Sequence, residues 1–192
     1  VQANILQKFS SVFEQSYTRF LDLQKAEAQA KEAQIEATLE RIRGRALAMN
    51  TSDELNTLIG FTYSECLKLN MHLDRGFIMT FDSVTNDANW WMVGSESPDK
   101  PSKLLVKYHE HAPNLAILDG WHRREQKWSY FLGGENKKNW DDYTLVKTDL
   151  ALLPDFVIQD MRSVENIILN ASFQNFGCIM LSSFEPMSDE HF

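Results

Sequence analysis

Cysteine is scarce in this chain of 192 residues: Cys66 and Cys178 are the only two. Two thiols make no disulfide framework, which fits a reducing compartment. Their ordinary role is that of small buried apolar groups. No apolar run approaches about 18 residues, so no membrane-spanning helix is written into the sequence. The start, Val1-Gln2-Ala3-Asn4, has neither the basic region nor the apolar region of a signal peptide. These features together predict a cytoplasmic protein. The missing Met and the stop at Ser-Asp-Glu-His-Phe read as a segment of a longer chain.

Basic residues are also short, 19 Lys and Arg against 27 Asp and Glu, for a net charge of −8 and a pI near 5.1. That balance argues against a nucleic-acid or anionic-membrane partner. The deficit is uneven: residues 1–50 hold seven basic and six acidic side chains, and the remainder carries the negative charge.

Catalytic signatures are missing as well. The sequence has no P-loop, no GxGxxG, no GxSxG elbow, no CxxC and no HExxH. Gly133-Gly134 reads as a turn. The phosphoacceptor and ATP-binding boxes of a histidine kinase are absent, and so are the paired metal carboxylates of a nucleotide cyclase. No catalytic residue is expected, and the chain reads as a non-enzyme. His109-x-His111 with His122 offers three imidazoles, and alternate strand residues share a face. The pair sits at a strand end before Pro113, and no cysteine or carboxylate set completes it, so no metal site is expected. Surface, capping or pocket-lining roles remain for these histidines.

What is present is enough to build a core: 43% of residues are hydrophobic and 11% aromatic. The length predicts one domain plus an appendage. The division falls near residue 50, giving a helical segment 1–49 and a domain 50–192. Residues 4–49 hold no Pro and only Gly44, and are rich in Ala, Gln, Glu, Lys and Leu. Apolar residues recur at Leu6, Phe9, Phe13, Phe20 and Leu23, and again at Ile35, Leu39, Ile42, Ala46 and Met49. That spacing predicts one long helix with an apolar seam. A seam needs a partner. It is met either by a parallel homodimeric coiled coil through residues 5–49 or by packing within the chain. Arg41, Arg43 and Arg45 form a basic run. They read as a solvated face, as a site for an anionic partner, or as an inter-helix salt-bridge set with Glu36 and Glu40 one turn earlier.

Beyond Asn50, Thr51 or Ser52 can cap a helix running to about Leu69. Arg75 to Asp82 and Ala88 to Gly94 read as a hairpin around Asn86-Asp87. Lys103 to His109 reads as a third strand. Pro113 opens a helix to about Glu125. Lys127 to Leu132 is a short strand. Residues 135–161 are helical with a break at Pro154. Asn166 to Ser172 and Gly177 to Phe184 form a closing hairpin, and Met187-Ser188-Asp189-Glu190 starts a last helix. The plan is α+β, a central antiparallel sheet flanked by helices and preceded by a long N-terminal coiled-coil helix.

That order over residues 50–192 resembles the GAF domain, a small-molecule sensor fold related to PAS. The stretches Val12 to Glu27 and Ile35 to Met49 resemble the linker helix of bacterial signalling proteins with tandem GAF-like modules. There such a helix leaves one module and enters the next, and a cyclase, histidine kinase or DNA-binding output follows. The resemblance implies a regulatory module in signal transduction, relaying a small-molecule or upstream signal across a dimer. It implies a ligand on the sheet face roofed by residues 103–145. The pocket residues it implies are Phe77, Met79, Trp91, His109, Trp121 and Tyr130. The aromatics equally suit an ordinary filled core. Adjacent Trp90 and Trp91 face opposite sides of the sheet, and alternation alone leaves open which side is the pocket. No counterpart of a bilin-anchoring cysteine, and no heme or cyclic-nucleotide signature, is present, so the cofactor is unknown. Two other readings stay open. One is a ligand-free structural dimerisation spacer. The other is an enzyme on the related fold, such as a free methionine sulfoxide reductase, whose chemistry needs reactive cysteines.

Overall fold

The computed structural model describes residues 2–51, 54–95 and 100–188. The chain divides into two compact units, 1–44 and 45–192. The first is almost wholly one helix, α1 (Gln2–Leu47), which continues to the second unit's first residues. At 1.5 Å per residue its 46 residues span about 69 Å. Its lack of proline and its run of Ala, Gln, Glu and Lys keep it unbroken.

The second unit holds a six-stranded sheet with α2 (Leu55–Lys68) on one face and three helices on the other. The strands are β1 (Leu73–Phe81), β2 (Ala88–Gly94), β3 (Ser102–Val106), β4 (Trp128–Gly133), β5 (Asn166–Gln174) and β6 (Gly177–Ser183). Their order across the sheet is β3-β2-β1-β6-β5-β4, and every pairing is antiparallel. Between β3 and β4 runs α3 (Ala112–Arg123). Between β4 and β5 run α4 (Gly134–Lys147), a 3-10 turn (Asp149–Leu152) and α5 (Asp155–Ser163).

Register decides the two faces. Phe77 pairs with Met92 and Met180, and Met79 with Trp90 and Cys178. These side chains, with Leu169, Ala171 and Phe173 of β5, look toward α3, α4 and α5 and form the main core. Ile78 pairs with Trp91 and Ile179 and looks the other way. There α2 covers β1 and β2. Gly76 makes room for it: a Cβ at that position would stand 3.1 Å from the Tyr63 ring. The Tyr63 hydroxyl lies 3.1 Å from the carbonyl oxygens of both Leu73 and Asp74, so this fully buried ring carries a satisfied polar tip.

Some expected boundaries move. Thr51 does not occupy the N-cap of α2. Glu54 does, with no side-chain cap bond, and the Thr51 hydroxyl instead donates to the Glu54 carboxylate at 3.2 Å. Ser52 itself lies outside the described residues. The third strand stops at Val106, and His109 and His111 lie in the connection to α3. The helix expected over 135–161 breaks twice, because Thr148 accepts a bond from the Leu150 N–H and starts a 3-10 turn before Pro154. Pro186–Ser188 are not helical, and the rest of the expected last helix lies outside the described residues.

Candidate functional site

A cavity of about 60 Å³ lies between the sheet and its helical roof. Its apolar walls come from Phe77 and Met79 of β1, Trp90 of β2, Trp140 of α4, Leu150, and Met180 of β6. Trp90 and Trp140 stack with ring centres 6.4 Å apart, and Phe77 meets Trp90 edge-on at 5.6 Å. Trp90 is buried and its indole N–H has no acceptor. Buried indole N–H groups ordinarily find one.

The other end of the cavity is charged. Asp74, Arg75, Ser182, Lys137 and Asp141 all line it. Strict alternation would send Asp74 and Arg75 to opposite faces. The β1–β6 register shifts between Leu73 and Arg75, however, and both residues reach the cavity. Arg75 Nη1 donates to both Asp74 carboxylate oxygens at 2.9 and 2.8 Å, and Nη2 donates to Asp160 of α5 at 2.6 Å. The Ser182 hydroxyl donates to Asp74 at 3.2 Å and accepts the Arg75 N–H at 2.9 Å. On the roof, Lys137 Nζ donates to Asp141 at 2.5 Å and to the Met161 carbonyl at 2.8 Å. Burial raises the pKa of Asp74 and of Asp141, against the pull of Arg75 and Lys137. The arrangement is an apolar, aromatic pocket with a few convergent charges at one end. That is the general form of a small-molecule site.

The six residues implied by the resemblance are only partly gathered here. Phe77 and Met79 line the cavity. Trp91 does not: register places it on the opposite face, under Lys103, whose ammonium stands 5.6 Å from its ring. Its neighbour Trp90 holds the cavity position. Trp121 belongs to the core and stacks on Phe81 at 4.9 Å, away from the cavity lining. Tyr130 packs at the core margin on Trp128, and its hydroxyl accepts from Asn136 at 2.8 Å. His109 sits behind the lining, 5.2 Å from the Trp140 ring and 4.6 Å from that of Tyr143.

His109 gives the domain a pH dependence. Its Nδ1 lies 3.1 Å from Nδ1 of His111, its carbonyl accepts from Asn114, and its buried Nε2 has no partner. Burial, with His111 second, lowers its pKa to about 4. The unfolded ring titrates near 6.5. The unfolded chain therefore takes up this proton first as pH falls. The stabilisation is complete above pH 6.5 and is lost on descending toward pH 4. The expected loss is about 2–3 kcal/mol. Urea midpoints at pH 7.5 and 4.5 should fall further apart in the wild type than in His109→Phe. Equal differences in the two proteins would refute the assignment.

Both thiols are held up by burial, Cys66 to about 11 and Cys178 higher still. Cys178 lies in the core under the roof, and Cys66 lies on α2 across the sheet. Neither is a thiolate at neutral pH, so the environment suits packing rather than nucleophilic chemistry. Among the described residues, no group of three or more His, Cys, Asp or Glu is placed to hold a metal ion, and no helix is long and apolar enough to cross a membrane.

No protein-family model matches the chain, and no curated protein matches it either. Function is therefore argued from the site itself.

Proposed function

We propose that the chain is a GAF-like regulatory module of a signalling protein, not an enzyme, that takes a small ligand between its sheet and helical roof and pairs with a second copy through α1. The cavity carries this reading: aromatic walls at one end, buried charges at the other, and among its lining residues Trp90, whose buried indole N–H has no acceptor. A ligand there touches β1, β2 and β6 and also α4 and α5. Binding that favours one arrangement of roof and sheet over another shifts a two-state equilibrium. Native mass spectrometry against the denatured mass tests it. Two chains plus a small adduct support the reading, and bare chains at every concentration of host extract count against it.

Pairing rests on α1. Leu6, Phe9, Phe13, Phe20 and Leu23 are all at least half exposed in the single chain. They follow the three-four spacing of a coiled-coil seam. Ser16 falls in the same seam, and its hydroxyl bonds back to the Val12 carbonyl, which satisfies it within the helix. Phe13→Asp should convert a two-chain species to one chain by sedimentation velocity, weakening association at least a hundredfold. An unchanged dimer would remove the seam from the account.

The spacer reading is favoured by one observation. The cavity's 60 Å³ is well below the roughly 300–1,000 Å³ of ordinary ligand sites. A small, nearly filled pocket is also what a sensor without its ligand presents, and the mass spectrum separates the two.

A further inference from the structure

A second space adjoins the cavity. It is a groove of about 470 Å³ at the start of α4, bordered by the charged Lys138, Arg162 and Glu165. Lys137, Asp141 and Val164 line both the groove and the cavity. They are the wall between the cavity and the groove. The Lys137–Asp141 pair is itself buried, with its side chains 7% and 10% exposed.

Pulling such a pair apart leaves an uncompensated buried charge, which is costly; exchanging one carboxylate for another does not. Three observations favour an incoming anion. The groove sets Lys137, Lys138 and Arg162 against Asp141 and Glu165, although Arg162 already bonds Asp142 at 2.9 Å. Gly134 of the first turn of α4 lines the groove, and the α4 N-cap, Gly133, has no side chain that could cap the helix. Trp90, one of the residues that line the cavity, has a buried indole N–H, a donor only, with no acceptor. A cation would have to displace Lys137 from both Asp141 and the Met161 carbonyl, beside Arg162.

We infer that the Lys137–Asp141 pair is a gate, and that the site takes a small monocarboxylate whose apolar body enters the cavity while its carboxylate replaces Asp141 on Lys137. Asp141 then turns into the groove, where water relieves the burial that raises its pKa. This rests on the cavity being a ligand site, as proposed above.

Three probes with one body and different heads test it: pentanoate, 1-pentanol and pentylammonium, titrated into the full chain while tryptophan emission is read. Pentanoate should saturate at least tenfold more tightly than either of the others. Lys137→Gln should weaken pentanoate at least tenfold and leave pentanol unchanged. Asp141→Asn should hold or tighten it. If Lys137→Gln melts early by circular dichroism, Lys138→Gln at the exposed groove margin serves instead, with an expected threefold weakening. Pentanol binding as tightly as pentanoate would overturn the gate and the anion yet leave the cavity as a ligand site, and so would tighter pentylammonium. No saturation by any probe would overturn the gate, while the adduct in the native mass spectrum decides the ligand-site reading independently.

Discussion

Arg75→Met should destabilise the domain by about 3–5 kcal/mol at pH 7.5, read from urea denaturation. The Arg75 and Asp74 side chains are each 3% exposed, and the guanidinium is the main partner of the Asp74 carboxylate. Without it, Asp74 keeps only the Ser182 hydroxyl at 3.2 Å. The substitution also cuts the tie from β1 to Asp160, and so loosens α5 over the cavity.

The pH dependence of that loss identifies its cause. Burial already raises the Asp74 pKa, and removing Arg75 takes away the largest opposing influence. A carboxylate whose folded pKa lies above its unfolded value binds more protons when folded. Its contribution to stability therefore falls as pH rises through that window. The deficit of Arg75→Met should be smaller at pH 5 than at pH 8. Adding Asp74→Asn should recover at least half of it. A loss below about 1 kcal/mol, or one independent of pH, would show that the pair is not an electrostatic anchor.

Much of this fold was legible in the sequence, and the site much less so. The proline-free run through residue 47 reads directly as a helix. The apolar alternation at Phe77-Ile78-Met79 and in the closing hairpin reads as strands. Opposite faces for Trp90 and Trp91 follow from the pleat alone. Which face is roofed does not, because both Trp residues pair with buried apolar neighbours on β1. The charged end of the cavity was hidden for two physical reasons. Asp74-Arg75 opens an apolar strand, where charged pairs ordinarily reach solvent, and only the register shift turns both inward. Lys137 and Asp141 stand one turn apart on α4, the spacing of a solvated pair on a helix surface. The α4 sequence Gly-Glu-Asn-Lys-Lys-Asn-Trp-Asp-Asp is polar at almost every position, so no apolar stripe marks its buried side. Trp140, between the two, is the one signal in the sequence that this turn faces inward.

The sheet beneath the cavity depends on one glycine, and Gly177→Ala should cost about 3 kcal/mol or more, lowering the melting temperature by about 6–12 °C. Asn175 and Phe176 make the turn between β5 and β6, and neither has a positive φ. Two-residue hairpins are ordinarily closed by turns that use positive φ, which matches the twist of the strands. Here the left-handed conformation falls on Gly177, at φ 146°. An alanine there is strained in its own backbone, and its Cβ would stand 1.8 Å from the Met79 carbonyl oxygen. That carbonyl is backbone of β1 and has no rotamer by which to move aside. The pairing that would open, β1 with β6, is the central one of the sheet, and Met79 and Met180 on it line the cavity. Gly134→Ala is the control. Its φ is also positive, at 57°, but nothing stands within 4 Å of its Cβ position, so only the conformational cost of about 1 kcal/mol remains. If the two substitutions lower the melting temperature equally, backbone crowding at Gly177 is not what fixes the register. If Gly177→Ala falls several degrees further, the close approach of β6 to β1 sets the geometry of the cavity floor.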